Sequence, residues 1–134
     1  MTPALVHAAA TWAMVGFIWT IQLLAYPQMA RVPHAGFVEF ERSHQTRVTA
    51  VIALFGPAEV VTAGWLLLDP GEIPRLLTLA AGLILAAIWT STGLFYAPLH
   101  ARLAGGFDAT LHRRLVRANW LRTIAWTVRG LLAW

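Results

Sequence analysis

The chain has 134 residues, 58% hydrophobic and only 12% charged, with a formal net charge of +4. That length holds one domain, and so few charges exclude an ordinary water-soluble globule, in which about 25% is usual. All ten basic residues are arginine and stand beside or inside apolar segments, so nucleic acid is not an expected partner, and the lack of cysteine excludes disulfides, thiolate metal sites and cysteine nucleophiles.

Four apolar segments can be drawn, each near the ~20 residues that cross a ~30 Å hydrocarbon core. The expected fold is all-α: an integral membrane antiparallel four-helix bundle, one domain over 1–134, with helices over approximately 3–26, 35–68, 74–97 and 109–133. Backbone groups in lipid must be satisfied within their own segment, which leaves no place for an open sheet.

The first segment lacks a charged leader start and reads as a retained helix rather than a signal peptide. Trp12, Val15, Trp19, Gln22 and Tyr26 follow by threes and fours along one face. The helix is expected to stop at Tyr26-Pro27, because proline disfavours helical geometry in its predecessor. The second helix carries Phe37, Glu41, His44, Val48, Val51, Phe55, Glu59 and Thr62 on one broad face, and Gly56-Pro57 predicts a kink. Glu59 comes roughly 18 Å beyond Arg47, near the bilayer midplane.

Asp69-Pro70-Gly71 is a turn signal, and Pro74 suits the first turn of the third helix. There Trp89, Thr92, Tyr96 and His100 share a stripe, and Pro98 is expected to end or bend the helix. Gly105-Gly106 marks the next turn, and Asp108 is the expected N-cap of the fourth helix. On that helix His112, Leu115, Asn119, Arg122, Trp126 and Arg129 fall on one face, with Val116, Leu121, Ile124, Val128 and Leu131 elsewhere. Charge at bilayer depth is costly, so this face must turn to a protein interior or wet cavity, and it marks a functional site by default.

Arg31, Arg42 and Arg47 attend the first connection, and Arg102, Arg113 and Arg114 the third, with Arg117 just beyond; the second has only Arg75, beside Asp69 and Glu72. The positive-inside rule then places the first and third connections in the cytoplasm and both termini in the periplasm of a bacterial inner membrane.

Two groups of residues can carry chemistry. Gln22, Glu59, Thr92, Asn119 and Arg122 form the first, in which Glu59 and Arg122 are expected to pair or to share a hydrogen-bond network. The alternative is polar glue between helices. Arg129 has no acidic partner in this scheme, and either snorkels to the interface or receives an anionic or carbonyl-bearing ligand. His34, His44, His100 and His112 with Glu41 form the second. Glu41 and His44 make one Glu-x-x-His pair, and without a second the di-iron ligand set is incomplete. A single metal ion held by His44, His100, His112 and Glu41, axial haem ligation, proton transfer and plain interfacial hydrogen bonding all remain open.

Phosphate-loop, nucleophile-elbow, His-Glu-x-x-His and dinucleotide signatures are absent from the sequence, against ATP-driven work and serine hydrolysis. The expected function is binding of a hydrophobic, partly polar molecule inside the bundle: a quinone, isoprenoid, polyketide or haem-like cofactor. Trp12, Trp19, Trp89 and Trp126 would wall it. Glu59, Asn119 and Arg122 would hold its polar end, with Gln22, Thr92 and Arg129 as further ligand-binding residues, and Tyr96, His44 or His100 would move protons; Glu59, Arg122, His44, His100 and Tyr96 are thus the candidate catalytic residues of an oxidoreductase or isomerase-like enzyme. The competing expectations are a non-catalytic subunit of a larger redox or photosynthetic membrane complex, and an oligomeric pore. Membrane lipids are the expected surroundings in each case.

Tyr26-Pro27, Phe40 with His44 and Arg47, Gly56-Pro57 with Glu59, Pro98-Leu99-His100, and Asn119-Trp120-Leu121-Arg122-Thr123 followed by Trp126 and Arg129 together resemble a family of small bacterial four-helix integral membrane proteins. The resemblance covers nearly the whole chain and implies the bundle architecture, with no activity attached. In architecture alone the bundle is also similar to cofactor-independent anthrone-oxygenase-like membrane proteins, with no catalytic motif in common.

Overall fold

The computed structural model describes residues 2–133, and those residues are helical apart from short connections, with no strand among them. Four helices result: α1 over Pro3–Met29, α2 over His34–Leu68 and α3 over Arg75–Leu103, then α4 over Ala109–Leu132. The first three are long and apolar enough to cross a membrane. The fourth lacks that apolar character because Arg113, Arg114, Arg117, Arg122 and Arg129 all fall on it.

The ends follow from local chemistry. Thr2 caps α1 by accepting the Leu5 N–H at 3.3 Å, ahead of Pro3, whose missing N–H costs nothing in a first turn. Asp108 caps α4, accepting the N–H groups of Thr110 at 2.7 Å and Leu111 at 2.9 Å. The amides of Leu111 and Thr110, then Arg102 and Arg113, hold its carboxyl below the usual aspartate range. Gly71 turns the chain between α2 and α3 at φ +57°, where a side chain would be strained.

Two expected boundaries are corrected. α1 runs past Tyr26-Pro27 and α3 past Ala97-Pro98, so these helices end at 29 and 103 rather than 26 and 97. In each, one π turn stands just before the proline, at Ile21–Ala25 and at Thr92–Tyr96. There Tyr26 N–H reaches the Ile21 carbonyl and Ala97 N–H the Thr92 carbonyl. The wider turn moves aside the carbonyl that the proline ring would strike, so the helix survives. In α2, by contrast, Pro57 lies within one unbroken helical segment.

The buried face of α1 continues through the first π turn. Beside His7, Thr11, Met14, Ile18 and Ile21, the residues Val15 and Gln22 are buried as well. Tyr26 and Met29, four and seven residues after Gln22, carry that face on, so Tyr26 keeps the inward position its stripe predicts.

The interior is unusually polar and the exterior unusually apolar. Glu41, Glu59, Asn119, Thr11 and Thr123 have no exposure and Arg129 has 1%, whereas Leu54, Leu83, Leu94 and Leu121 are each at least 68% exposed. Side-chain contacts fix which helix ends lie together. His7 and Ala81, early in α1 and α3, meet Thr62 and Arg129, late in α2 and α4. Tyr26 and His100, late in α1 and α3, meet Glu41 and His112, early in α2 and α4.

Candidate functional site

At the first of these ends the polar groups close on one another. The Arg129 guanidinium is paired through Nη1 with Glu59 Oε1. Its Nε donates to the Ala81 carbonyl at 3.1 Å, and its Nη2 faces His7 Nε2 at 3.2 Å. A guanidinium only donates, so His7 Nε2 must offer its lone pair and Nδ1 carries the proton. That N–H donates to Thr62 Oγ1 at 2.9 Å, and Thr62 in turn donates to the Ala58 carbonyl at 2.6 Å. The Trp126 indole donates to Glu59 Oε1 at 3.2 Å. All four helices contribute, and each charge finds its complement, which is what burial demands.

This corrects the expected pairing. Glu59 is joined to Arg129, not to Arg122, and Arg129 does not snorkel. Spacing along a helix gives the face a residue occupies, but how far one helix is slid along another is a matter of packing. His7 sits at the same level and was missed by sequence reasoning; its signal was the His7–Thr11–Met14–Ile18 stripe, one position off the tryptophan stripe.

On the other side of Trp126 lies a cavity of about 180 Å³. Its apolar walls are Phe17, Ile18, Ile21, Val48, Ile52, Trp89 and Trp126, and its polar groups include Tyr26, His44, Gln45, Thr92, Tyr96, His100 and Arg122. Thr49 of α2 and Ala97 of α3 are its exposed lining residues, so it opens between those two helices. Gly56 lets the walls close: a Cβ there would lie 3.0 Å from Trp89 Cζ2.

Arg122 is held at the cavity by its neighbours. Its Nε and Nη2 donate to Asn119 Oδ1 at 3.0 and 2.7 Å, and its Nη1 donates to Thr92 Oγ1 at 3.2 Å. Asn119 donates to Gln22 Oε1 at 2.8 Å, which ties the group to α1. The guanidinium carbon stands 4.0 Å from the centroid of the Tyr96 ring, a cation–π contact, while the Tyr96 hydroxyl donates to the Ala118 carbonyl at 2.7 Å. No carboxylate neutralises Arg122 among the described residues. Trp89 adds a buried indole N–H with no acceptor among those residues.

A second chain of bonds ends at the same cavity. Glu41 Oε1 lies 2.6 Å from His100 Nδ1, and His100 Nε2 lies 3.1 Å from the Tyr26 hydroxyl. A carboxylate accepts, so Nδ1 carries the imidazole proton, Nε2 is the lone pair, and Tyr26 donates to it. Gln45 secures the pair, donating to Glu41 Oε1 at 3.1 Å and to the His100 carbonyl at 3.2 Å. Carboxylate, imidazole and phenol are thus in line, with the phenol at the cavity.

The structure therefore brings Arg122, Tyr96, His44, His100, Trp89, Thr92 and Trp126 to one cavity, with Gln22 and Asn119 directly behind. It leaves out others. Glu59 and Arg129 lie beyond Trp126, where Arg129 and His7 border a separate small cavity of about 20 Å³. Trp12 is 47% exposed, because the inward face of α1 runs beside it. Trp19 donates to Thr127 Oγ1 at 3.0 Å and meets Trp120 edge-on, so it packs helices rather than lining the cavity. Tyr26, although on the predicted stripe of α1, and Gln45 were missed as site residues.

The proposed metal set is not gathered. His112 is turned away, its Nε2 donating to the Tyr26 carbonyl at 2.9 Å, and His34 lies on the exposed surface against Phe107. Both nitrogens of His100 are already engaged, and no three ligating side chains converge among the described residues. His44 keeps its place at the cavity, stacked 5.7 Å from His100. The cavity volume of about 180 Å³ is close to the roughly 150 Å³ that takes benzene, so it suits a single ring.

Protein-family models, curated proteins and solved structures were all compared with the chain, and none matches it.

Proposed function

We propose that this is an integral protein of the bacterial inner membrane, an antiparallel four-helix bundle that binds a small hydrophobic molecule with one ring and an oxygen-bearing end. Three helices of spanning length support the membrane setting, as do the aliphatic residues exposed around them. Arg31, Arg42, Arg47, Arg102, Arg113, Arg114 and Arg117 are all exposed and stand toward one end, which supports a cytoplasmic location for that end and a periplasmic one for both termini. The cavity opens sideways between α2 and α3, so its ligand comes from the lipid phase.

The observation that carries the binding reading is the convergence of Arg122, Trp89 and Tyr26 on one aromatic-walled cavity. A guanidinium with no carboxylate partner and an indole N–H with no acceptor are both donors, and a ring oxygen is an acceptor of matching size. In this reading Tyr96 backs Arg122, and His44 completes the polar side. Calorimetric titration of the purified protein with 4-nitrophenol tests it. Saturable one-to-one binding is expected, with at least a tenfold loss in Ile52→Trp, which fills the cavity. Absent saturation, or equal affinity in the filled variant, overturns the proposal.

A further inference from the structure

We infer that Tyr26, His100 and Glu41 form a proton relay that ionises the bound molecule, whose oxyanion Arg122 then holds. The inference rests on the cavity being the ligand site and names the class of ligand: a ring-bearing acid whose conjugate base carries its charge on oxygen.

The geometry supports each transfer. The Tyr26 hydroxyl, 3.1 Å from His100 Nε2, has one direction in which to give its proton, and an imidazolium formed there is stabilised by Glu41, 2.6 Å from Nδ1. Tyr26 lines the cavity and directly follows the π turn Ile21–Ala25, a local distortion of the kind that recurs at functional sites. The Tyr26 backbone is pinned as well, its carbonyl accepting the His112 N–H at 2.9 Å. Glu41 is fully buried, its second oxygen has no partner among the described residues, and no guanidinium pairs with it as Arg129 does with Glu59.

The step balances without a cofactor. The ligand O–H bond breaks and its proton forms a new O–H bond at Tyr26 Oη, while the proton Tyr26 held passes to His100 Nε2. The electron pair stays on the ligand oxygen, facing the Arg122 guanidinium. The protein gains one proton, on the His100–Glu41 pair, and the reverse transfer restores the starting state. An enolisable ring ketone follows the same course, with a C–H bond breaking and the charge moving to its carbonyl oxygen; reprotonation at a second carbon would isomerise it. The groups that face His100 are Tyr26 on α1, Glu41 and His44 on α2, and, across the cavity, Tyr96 and Arg122. Arg122 favours the anion on the ligand, and Glu41 faces the Nδ1 side of His100.

Binding of 4-nitrophenol reads both halves at once, because its phenolate absorbs at longer wavelength and calorimetry in buffers of different ionisation enthalpy counts the protons released. One pH unit below the probe's own pKa, the bound probe is expected to be mostly phenolate with no net proton released to buffer. Tyr26→Phe is expected to lower the bound phenolate-to-phenol ratio at least tenfold while nitrobenzene, which has no proton to give, binds unchanged and shows the pocket intact. Glu41→Gln is expected to lower the same ratio. A probe that binds as neutral phenol, or as phenolate with one proton released, overturns the relay and leaves the binding reading standing. An unchanged ratio in Tyr26→Phe does the same. No binding of either probe overturns the cavity reading and the relay with it.

Discussion

Glu59 and Glu41 are both without solvent exposure, and both sit where contacts from all four helices meet, yet their surroundings put them to different uses. Glu59 is matched by Arg129, whose remaining donors go to Ala81 and His7, and Trp126 closes the last side. This node is matched charge for charge, and only a small cavity of about 20 Å³ adjoins it, at His7 and Arg129. Glu41 is matched only by an imidazole and an amide, keeps one oxygen without a partner, and connects through His100 and Tyr26 to a cavity. A carboxylate closed by a guanidinium holds helices in register, whereas one closed by a titratable group retains a proton equilibrium. Trp126 serves both, bonding Glu59 with its N–H and walling the cavity with its ring.

The largest expected effect breaks the Glu59 node. Glu59→Gln or Arg129→Met leaves a buried charge uncompensated and should cost about 3–5 kcal/mol of stability, read by denaturant or thermal unfolding in detergent. A double-mutant cycle between them should show strong coupling, whereas a Glu59/Arg122 cycle should add to within about 0.5 kcal/mol. Coupling to Arg122 instead would mean that the two networks are one and that the contrast fails.

Gly56→Ala probes the cavity wall. Its Cβ would stand 3.0 Å from Trp89 Cζ2, so the indole must shift, at about 1–3 kcal/mol and with weaker 4-nitrophenol binding. Gly64→Ala in the same helix meets nothing within 4 Å and should be neutral or stabilising by about 0.4–1 kcal/mol. Equal behaviour of the two variants would argue against a close-fitting wall.

Tyr96→Phe removes the bond to the Ala118 carbonyl and should cost about 0.5–1.5 kcal/mol while leaving the ionisation of the bound probe unchanged, since Tyr96 is outside the relay. If it alters that ratio as Tyr26→Phe does, the relay has been assigned to the wrong phenol.

The smallest effect lies outside both nodes. The Asp108 carboxyl is held below its ordinary range, so its contribution to capping is complete above the unfolded pKa and is lost as pH falls through the lower folded value. Asp108→Asn, which still caps, should remove that acid dependence, and an unfolding series below pH 5 checks it.

Much of the fold was legible because it depends on local periodicity. The spacing of His112, Leu115, Asn119, Arg122, Trp126 and Arg129 chose the inward face of α4, and five of the six are buried while Arg122 is half-buried. The turn at Asp69-Pro70-Gly71 and the cap at Asp108 were readable for the same reason. Likewise His44, His100 and Arg122 were legible as site candidates, because polar groups in an apolar chain must find an interior.

Three things waited for the tertiary structure. The partner of Glu59 depends on how far α2 and α4 are slid along each other, and the 3.6-residue repeat carries no such information. Tyr26 lies on the stripe that periodicity predicts, but the continuation of α1 past it depends on a π turn, and proline alone cannot say whether a helix will stop or widen. Trp12 faces outward because two adjacent stripes of one apolar helix look alike until a neighbour covers one of them. Sequence determined which residues had to be hidden; packing decided which of them met, and hence which carboxylate was matched by a guanidinium and which was linked to the larger cavity.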